Sequence, residues 1–403
     1  MVSKVPVGIV GAGPAGLLLA QLLARRGIAS RVLERSSREH VESRVRAGVL
    51  EQGTVDTLHA AGVGQRLARE GMVHHGIELR FGATALRIDF DDLVPGRRVT
   101  VYGQREVVRD LIEARLADAS AAADHLIFEA AGVRLSGLEE GKPRLHFSHR
   151  GALEAFDCDW VVGCDGSHGV SRQWFPTGVL SIREHAFPFA WLGVLAEAAP
   201  SSAELIYVRH ERGFALHSMR TPQISRFYLQ VAPDEDLSAW SDERIWTELE
   251  TRLATVPGWH LGRGRIVERG VAGMRSVVAE PLRHGCLFSC GDVAHLVPAT
   301  GAKGLNLAVA DVRLLAEAFG AWYERGDGTL LDAYSDACLQ RVWRVQHFSA
   351  WLTRLLHIFP GQDAFQSRLQ LAELEYLAAS RAARTTLAEN YVGFSSPVSA
   401  ASP

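Results

Sequence analysis

The chain of 403 residues predicts an α/β protein. It should comprise a Rossmann-like dinucleotide-binding domain, an inserted β-rich substrate domain and a helical C-terminal region. Three observations carry that prediction. Near the N-terminus a β-branched run leads through Gly11-Ala-Gly-Pro-Ala-Gly16 into a leucine- and alanine-rich segment. The middle of the chain breaks into short strand-like runs separated by Pro and Gly turns. From about residue 305 the chain is helical in texture almost to its end. At 47% hydrophobic and 22% charged residues the chain is globular rather than disordered or fibrous. A net charge of −3 leaves no basic excess for nucleic acid or an anionic membrane.

Taken in order, residues 5–10 read as a strand, the segment to Arg26 as a helix stopped by Gly27, and residues 31–34 as a second strand. That is the β-α-β order of a parallel unit. Residues 50–68 read as helical, 77–102 as β-rich, 106–119 as a helix and 160–163 as a short buried strand. Between 179 and 270 the strand-like runs are 189–195, 204–208, 214–219 and 226–231, with one clear helix at 241–254. Residues 286–290 read as another short strand, and 305–390 as helical with a break at Pro360-Gly361. The expected division is 1–178 and 271–325 for the two parts of the dinucleotide domain and 179–270 for the insertion. The helical region follows at 326–394, and 395–403 is a Ser/Ala/Pro-rich tail expected to be disordered.

Residues 8–24 are apolar but for Gln21, yet Gly11, Gly13, Pro14 and Gly16 interrupt them too early for a secretory signal or a membrane span. Five cysteines with no C-x-x-C spacing argue against a disulfide framework and a zinc site. A cytoplasmic protein without a metal is the expectation.

Gly11, Gly13 and Gly16 have the dinucleotide spacing: a tight turn, close approach of a pyrophosphate, and close packing of helix on strand. The helix start adds unpaired N–H groups for the phosphates. Glu34, at the end of the second strand, is placed to accept ribose hydroxyls, which favours FAD or NAD over NADP as the tightly held nucleotide. Asp165-Gly166 and Gly291-Asp292 each follow a strand, and either alone is ordinary turn chemistry. However, Thr300-Gly-Ala-Lys-Gly304 opens a second helix at Leu305, a second anion-binding start. A flavin, with a pyrophosphate at one end and an anionic reduced ring at the other, needs both.

Together these motifs resemble the class A flavin-dependent aromatic monooxygenases. Narrower strings resemble the branch acting on para-hydroxylated benzoates: Arg44-Val-Arg-Ala-Gly-Val-Leu-Glu-Gln52, Val101-Tyr-Gly-Gln104, Arg212-Gly-Phe-Ala-Leu216, Thr300-Gly-Ala-Lys-Gly-Leu-Asn306 and Ala388-Glu-Asn-Tyr-Val-Gly393. They recur in order over nearly the whole chain. The resemblance implies hydroxylation of 4-hydroxybenzoate at the 3-position through a flavin hydroperoxide. FAD would be the cofactor, NADPH or NADH the reductant, and O2 the co-substrate.

It also implies roles residue by residue. Gly11, Gly13, Gly16, Glu34, Arg44, Val45, Arg46, Ala47, Gly48, Val49, Gln104, Asp292, Gly304, Leu305 and Asn306 would bind FAD, the last two through their backbone. Tyr207, Ser218, Met219, Arg220, Tyr228 and Ala299 would contact the substrate, with Arg220 forking onto its carboxylate. Tyr207, Tyr391 and His74 would relay the phenol proton, His74 titrating near neutrality. Arg35, His40, His168, Arg172 and Arg275 would meet the nicotinamide coenzyme. Ser218, Arg220, Arg226 and Tyr228 have the even spacing of one strand face, interrupted at Thr221-Pro222.

The chain departs from that pattern at some positions. Ser36 and His40 replace a glutamine and a tyrosine, Ser167 an aromatic, Ala299 a proline and Ala15 a serine. These leave open NADPH against NADH, and the para substituent: 4-aminobenzoate and 3,4-dihydroxybenzoate are alternatives. A plain NAD-dependent dehydrogenase would leave Asp292 and the second glycine loop unused. A non-catalytic flavin-binding sensor would bind flavin without ligand-stimulated coenzyme oxidation. A homodimer through the helical C-terminus is also expected.

Overall fold

The computed structural model describes residues 3–44, 48–117 and 125–394. Val45, Arg46 and Ala47, and the tail at 395–403, lie outside them. Ser3–Val10 is the central strand of the first sheet, paired in parallel with Ser30–Leu33 on one side and Ala152–Gly163 on the other. Successive strands therefore leave the central one in opposite directions. The crevice at such a switch point, where Gly11 to Gly16 sit, is where open α/β sheets bind ligands. Leu126–Ile127 and Leu287–Ser289 extend this sheet in parallel, Arg283–His284 ends it, and two antiparallel strands at 131–136 and 144–149 branch from it. Helices Pro14–Arg25 and Gly304–Arg325 bury Leu17, Leu18, Leu23, Val312 and Leu315 in one core over it.

The second sheet is antiparallel apart from one pair. Its order is His295–Leu296, Arg265–Glu280, Ser181–Glu197, Ile224–Val231, Ala215–Thr221, Ile206–Arg209, Gly76–Phe81 and Thr84–Asp89. It draws strands from 76–89 and from 265–280 as well as from the middle of the chain. Alternation along each strand sorts side chains to two faces. Leu192, Val194, Ile206, Val208, Phe227 and Leu229 meet helix Asp242–Leu253 on one face. Trp191, Tyr207, Leu216 and Tyr228 face the C-terminal helices on the other. Tyr207 and Tyr228, both expected to meet the substrate, lie on that second face. A small third sheet orders Val49–Glu51, Val99–Val101 and Met72–His74.

Several elements differ from the sequence reading. Residues 50–68 are not one helix: Val49–Glu51 is a strand, and helices Gln52–Ala60 and Gln65–Glu70 follow, separated at Gly62-Val-Gly64. Gly62, at φ 79°, ends the first of them. The strand expected at 160–163 runs from Ala152, and the one at 189–195 spans Ser181–Glu197. The helical third comprises Gly304–Arg325, Thr329–Leu356, Ala364–Ala379 and Arg381–Val392, with Pro360-Gly361 in the expected break. Ser218 and Tyr228 share a face not of one strand but of a hairpin, with Ser218 opposite Arg226 and Leu216 opposite Tyr228. All five cysteines are free and buried. Among the described residues no helix is long and apolar enough to cross a membrane, and no cluster of three metal-ligating side chains forms.

Candidate active site

The nucleotide end is built from backbone. Gly11 has φ 106°, and a Cβ there would collide with the Cys164 carbonyl; one on Gly16 would strike the Gly11 carbonyl. Gly13 meets nothing nearer than the Cys164 oxygen at 4.0 Å, so it alone borders open space. Gly13 is also the N-cap of Pro14–Arg25, with no side-chain cap and no acid in the first turn. The helix thus presents free N–H groups and the positive end of its dipole to an anion. Helix Gly304–Arg325 starts the same way, uncapped at Lys303 and without an acid in its first turn. Two such starts and a cradle at Gly13 fit the pyrophosphate and the flavin ring of FAD.

Glu34 is buried and fixed. Its Oε2 accepts the Ala12 N–H at 2.9 Å and its Oε1 the Ser36 N–H at 2.8 Å, leaving lone pairs for ribose hydroxyls. Gly48 lies against the Tyr102 carbonyl, where a Cβ would clash, and Val49 follows it in the small sheet. Arg44 is exposed just after helix Arg38–Ser43, its Nε 3.3 Å from His40 Nε2. Gln104 begins helix Gln104–Ala117. Asn306 keeps its backbone at the second helix start, while its side chain ties Val49, Glu51 and Thr54 to that helix. Val45, Arg46 and Ala47 are outside the described residues.

Asp292 lies on the 3-10 turn Gly291–Val293. Sequence reading missed what holds it. The fully buried carboxylate of Asp311 accepts the Gly291 N–H at 3.2 Å and pairs with His295 Nε2 at 2.6 Å. Burial disfavours charge on His295, but the Asp311 carboxylate outweighs it and raises the imidazole above its usual value. The signal was legible: Asp311 is the lone charge between Leu305 and Val312. Lys303 was also missed. Its buried ammonium reaches Glu51 Oε1 at 2.6 Å and the Tyr391 carbonyl at 2.7 Å, and burial draws it below its usual value against the pull of Glu51.

At the substrate end, Arg220 is half-buried. Its Nη1 donates to Ser218 Oγ at 2.9 Å and to the Met219 carbonyl at 2.8 Å, while Nε has no protein partner. Among the described residues no carboxylate pairs with it. Burial lowers its pKa, and a desolvated cation in that state calls for an anion. Met219 itself is buried on the opposite parity to Ser218. Gly193 lets Tyr228 and Arg226 lie across its strand, since a Cβ would sit 3.2 Å from the Tyr228 ring. Ala299 is exposed at the start of the turn Ala299–Gly301.

Tyr207 and Tyr391, 184 residues apart, are both buried, with hydroxyls 2.7 Å apart. Burial raises both phenols well above their usual value, so each stays neutral. His74 is buried but not hydrogen-bonded to either tyrosine: neither of its ring nitrogens has a hydrogen-bond partner among the described residues. Near-neutral titration is corrected here, because burial pushes His74 down to about 4.

The residues expected to meet the nicotinamide coenzyme fall into two groups. Arg35 and His40 are exposed at helix Arg38–Ser43. His168 is exposed, and Arg275 lies 3.6 Å from Glu184. Arg172 spends its Nε and Nη2 on the Val293 carbonyl at 2.9 and 2.6 Å, so it braces the Asp292 turn from below.

A family profile described as an FAD binding domain matches residues 4–349. The p-hydroxybenzoate hydroxylase of Acinetobacter baylyi (strain ATCC 33305 / BD413 / ADP1) is 45% identical over 97% of this chain and 95% of its own. A 3-(3-hydroxy-phenyl)propionate/3-hydroxycinnamic acid hydroxylase of Mycolicibacterium gilvum (strain PYR-GCK) is 25% identical over 82% of this chain, which spans 57% of that longer protein. The p-nitrophenol 4-monooxygenase of Pseudomonas putida DLL-E4 shares the fold, with a TM-score of 0.81 at 19% identity over 97% of this chain and 99% of that one. With that match and the two uncapped helix starts, the chain belongs to the FAD binding domain family, among the class A flavin monooxygenases.

Proposed function

We propose that the enzyme hydroxylates 4-hydroxybenzoate at the 3-position to give 3,4-dihydroxybenzoate, consuming NAD(P)H and O2. The observation that carries this is Arg220: a half-buried guanidinium with no acidic partner among the described residues, on the sheet face that also carries Tyr207 and Tyr228. The relative from Acinetobacter baylyi supports the same substrate. FAD, once bound, supplies the oxygen chemistry. Every other task falls to the protein's own residues. Arg220 forks onto the benzoate carboxylate and, with Ser218 and Tyr228, fixes the ring. Tyr207 accepts the phenol proton's hydrogen bond and hands it to Tyr391, two neutral hydroxyls exchanging donor and acceptor roles. His74, neutral at pH 7, has no hydrogen bond to either hydroxyl among the described residues, so the Tyr207–Tyr391 pair carries the path. Arg35, His40, His168 and Arg275 meet the coenzyme from the surface.

The division into 1–178, 179–270, 271–325 and 326–394, a cytoplasmic setting and a homodimer belong to the same proposal. For the dimer, Phe365, Leu369 and Tyr376 are exposed along one side of helix Ala364–Ala379, an apolar stripe suited to a second copy. The test is a visible spectrum followed by NADPH and NADH oxidation against para-substituted benzoates. A yellow protein whose coenzyme oxidation rises with 4-hydroxybenzoate, yielding 3,4-dihydroxybenzoate, is the expected result. A higher product yield from 4-aminobenzoate would move the para substituent. A colourless protein that takes up no FAD would end the reading.

A further inference from the structure

Behind the proposed substrate face lies a buried histidine that none of the assigned roles uses. His357 is fully buried just after helix Thr329–Leu356, and its Nε2 lies 2.7 Å from the Trp191 indole nitrogen. An indole N–H only donates, so Nε2 is the acceptor and the ring proton sits on Nδ1, which donates to the Thr353 carbonyl at 2.9 Å. The two rings are nearly coplanar, at 11°. Phe189 stacks on the imidazole at 4.6 Å and Phe214 at 4.3 Å, and Phe214 also stacks on Trp191 at 5.0 Å. Trp191 in turn contacts the Tyr228 ring at 4.8 Å.

The network continues to the loop below the site. Thr353 Oγ1 donates to the Ser349 carbonyl at 2.7 Å, so it accepts from Thr300 Oγ1 at 2.9 Å. Thr300 adjoins Ala299. One imidazole thus ties the aromatic wall of the sheet to the glycine-rich turn. A phenylalanine would fill this sandwich equally well. The desolvation cost of an imidazole is offset only by its two directed bonds. Burial holds the ring neutral, pushed down to about 3, which preserves the acceptor.

We propose that His357 is a positioning residue: by accepting the Trp191 N–H it fixes the indole as the wall that orients the aromatic substrate. This rests on the proposed hydroxylation. The test is His357→Phe, which keeps the stacking and removes both bonds, measured beside the wild type. The readouts are FAD content, the 4-hydroxybenzoate dissociation constant from flavin absorbance, and product formed per NAD(P)H. With one buried donor stranded, substrate binding should weaken about tenfold and product per coenzyme should fall, with FAD content unchanged. His357→Gln, which retains an acceptor, should recover part of both. Should His357→Phe not accumulate, the double variant Trp191→Phe/His357→Phe strands no donor and should show the same loss. Unchanged affinity and coupling in the folded variant would overturn the proposal. A wild type whose coenzyme oxidation ignores 4-hydroxybenzoate would overturn the hydroxylation reading, and this inference with it.

Discussion

On the proposed reading the two sheets recognise their ligands in different ways. At the first, the chemistry is main-chain: Gly11, Gly13 and Gly16 clear space, and helix starts at Pro14 and Gly304 offer N–H groups. At the second, it is side-chain. Arg220 and Tyr228 belong to one hairpin, Tyr207 to the strand beside it, and Tyr391 arrives from the last helix. Backbone recognition constrains local sequence, because only glycine tolerates φ near 106° against a neighbouring carbonyl. Side-chain recognition constrains only where distant residues meet. The separation is what the following substitutions and pH measurements probe, the largest expected effect first.

Gly11→Ala should abolish the nucleotide site, since both the conformation and the Cys164 carbonyl exclude a Cβ. Purified protein should carry little or no FAD; normal FAD content would mean that the turn is not the phosphate cradle. On the other sheet Tyr207→Phe should keep FAD and lower hydroxylation roughly 100-fold, the usual worth of a positioned proton acceptor. Tyr391→Phe should follow in the same direction, and peroxide released per coenzyme should rise in Tyr207→Phe. If product per coenzyme is unchanged in both variants, the hydroxyl pair at 2.7 Å only packs.

Stability should respond to pH with opposite sign in the two regions. Burial holds His74 and His217 down to about 4 and His357 to about 3, all in or beside the second sheet. Unfolded histidine ionises near 6.5, so each contributes stability that is present above about pH 6.5. That contribution is lost as pH falls towards the folded values, at up to about 1.4 kcal/mol per pH unit per histidine. His295, raised by Asp311 beneath the nucleotide site, behaves in reverse. Its contribution is full below about pH 6.5 and fades as pH climbs through its raised value. Region-resolved hydrogen exchange at pH 5, 7 and 9 checks this; a second sheet as stable at pH 5 as at 7 would contradict it. The smallest effect concerns the coenzyme. Arg35 and the exposed His40 should give a few-fold preference for NADPH, because a guanidinium beside an imidazole can meet the 2′-phosphate. A preference for NADH would remove them from that role.

The same contrast explains what was legible. The first β-α-β unit and its cofactor could be read from residues 5–34 because strand, glycines, helix and acid are contiguous. Local sequence gives Arg220 and Tyr207 no mark that separates them from a surface arginine and a core tyrosine; only the family resemblance suggests a role. Nothing local links Tyr207 to Tyr391. Residues 50–68 mislead because helical composition hides a three-residue strand whose partner lies about fifty residues on, at Val99–Val101. His74 misleads because two adjacent histidines suggest a solvent-facing pair, whereas only His75 is partly exposed, against Asp91, and His74 is buried. Asp311 is marked only by being the lone charge between Leu305 and Val312, and His357, whose side-chain hydrogen-bond partner is Trp191, by no motif at all.

On the proposed reading the first sheet sets the cofactor and side chains of the second sheet set the substrate, independently. It is tested most directly by titrating FAD and 4-hydroxybenzoate against Arg220→Lys and Glu34→Gln in parallel. Arg220→Lys should hold FAD as the wild type does and lose substrate affinity by about 2–5 kcal/mol, since lysine keeps the charge without the planar fork. Glu34→Gln should weaken FAD about tenfold and, once reloaded, bind substrate normally. If each substitution weakened both ligands equally, or if Arg220→Lys left 4-hydroxybenzoate binding intact, the division of labour between the two sheets would be wrong.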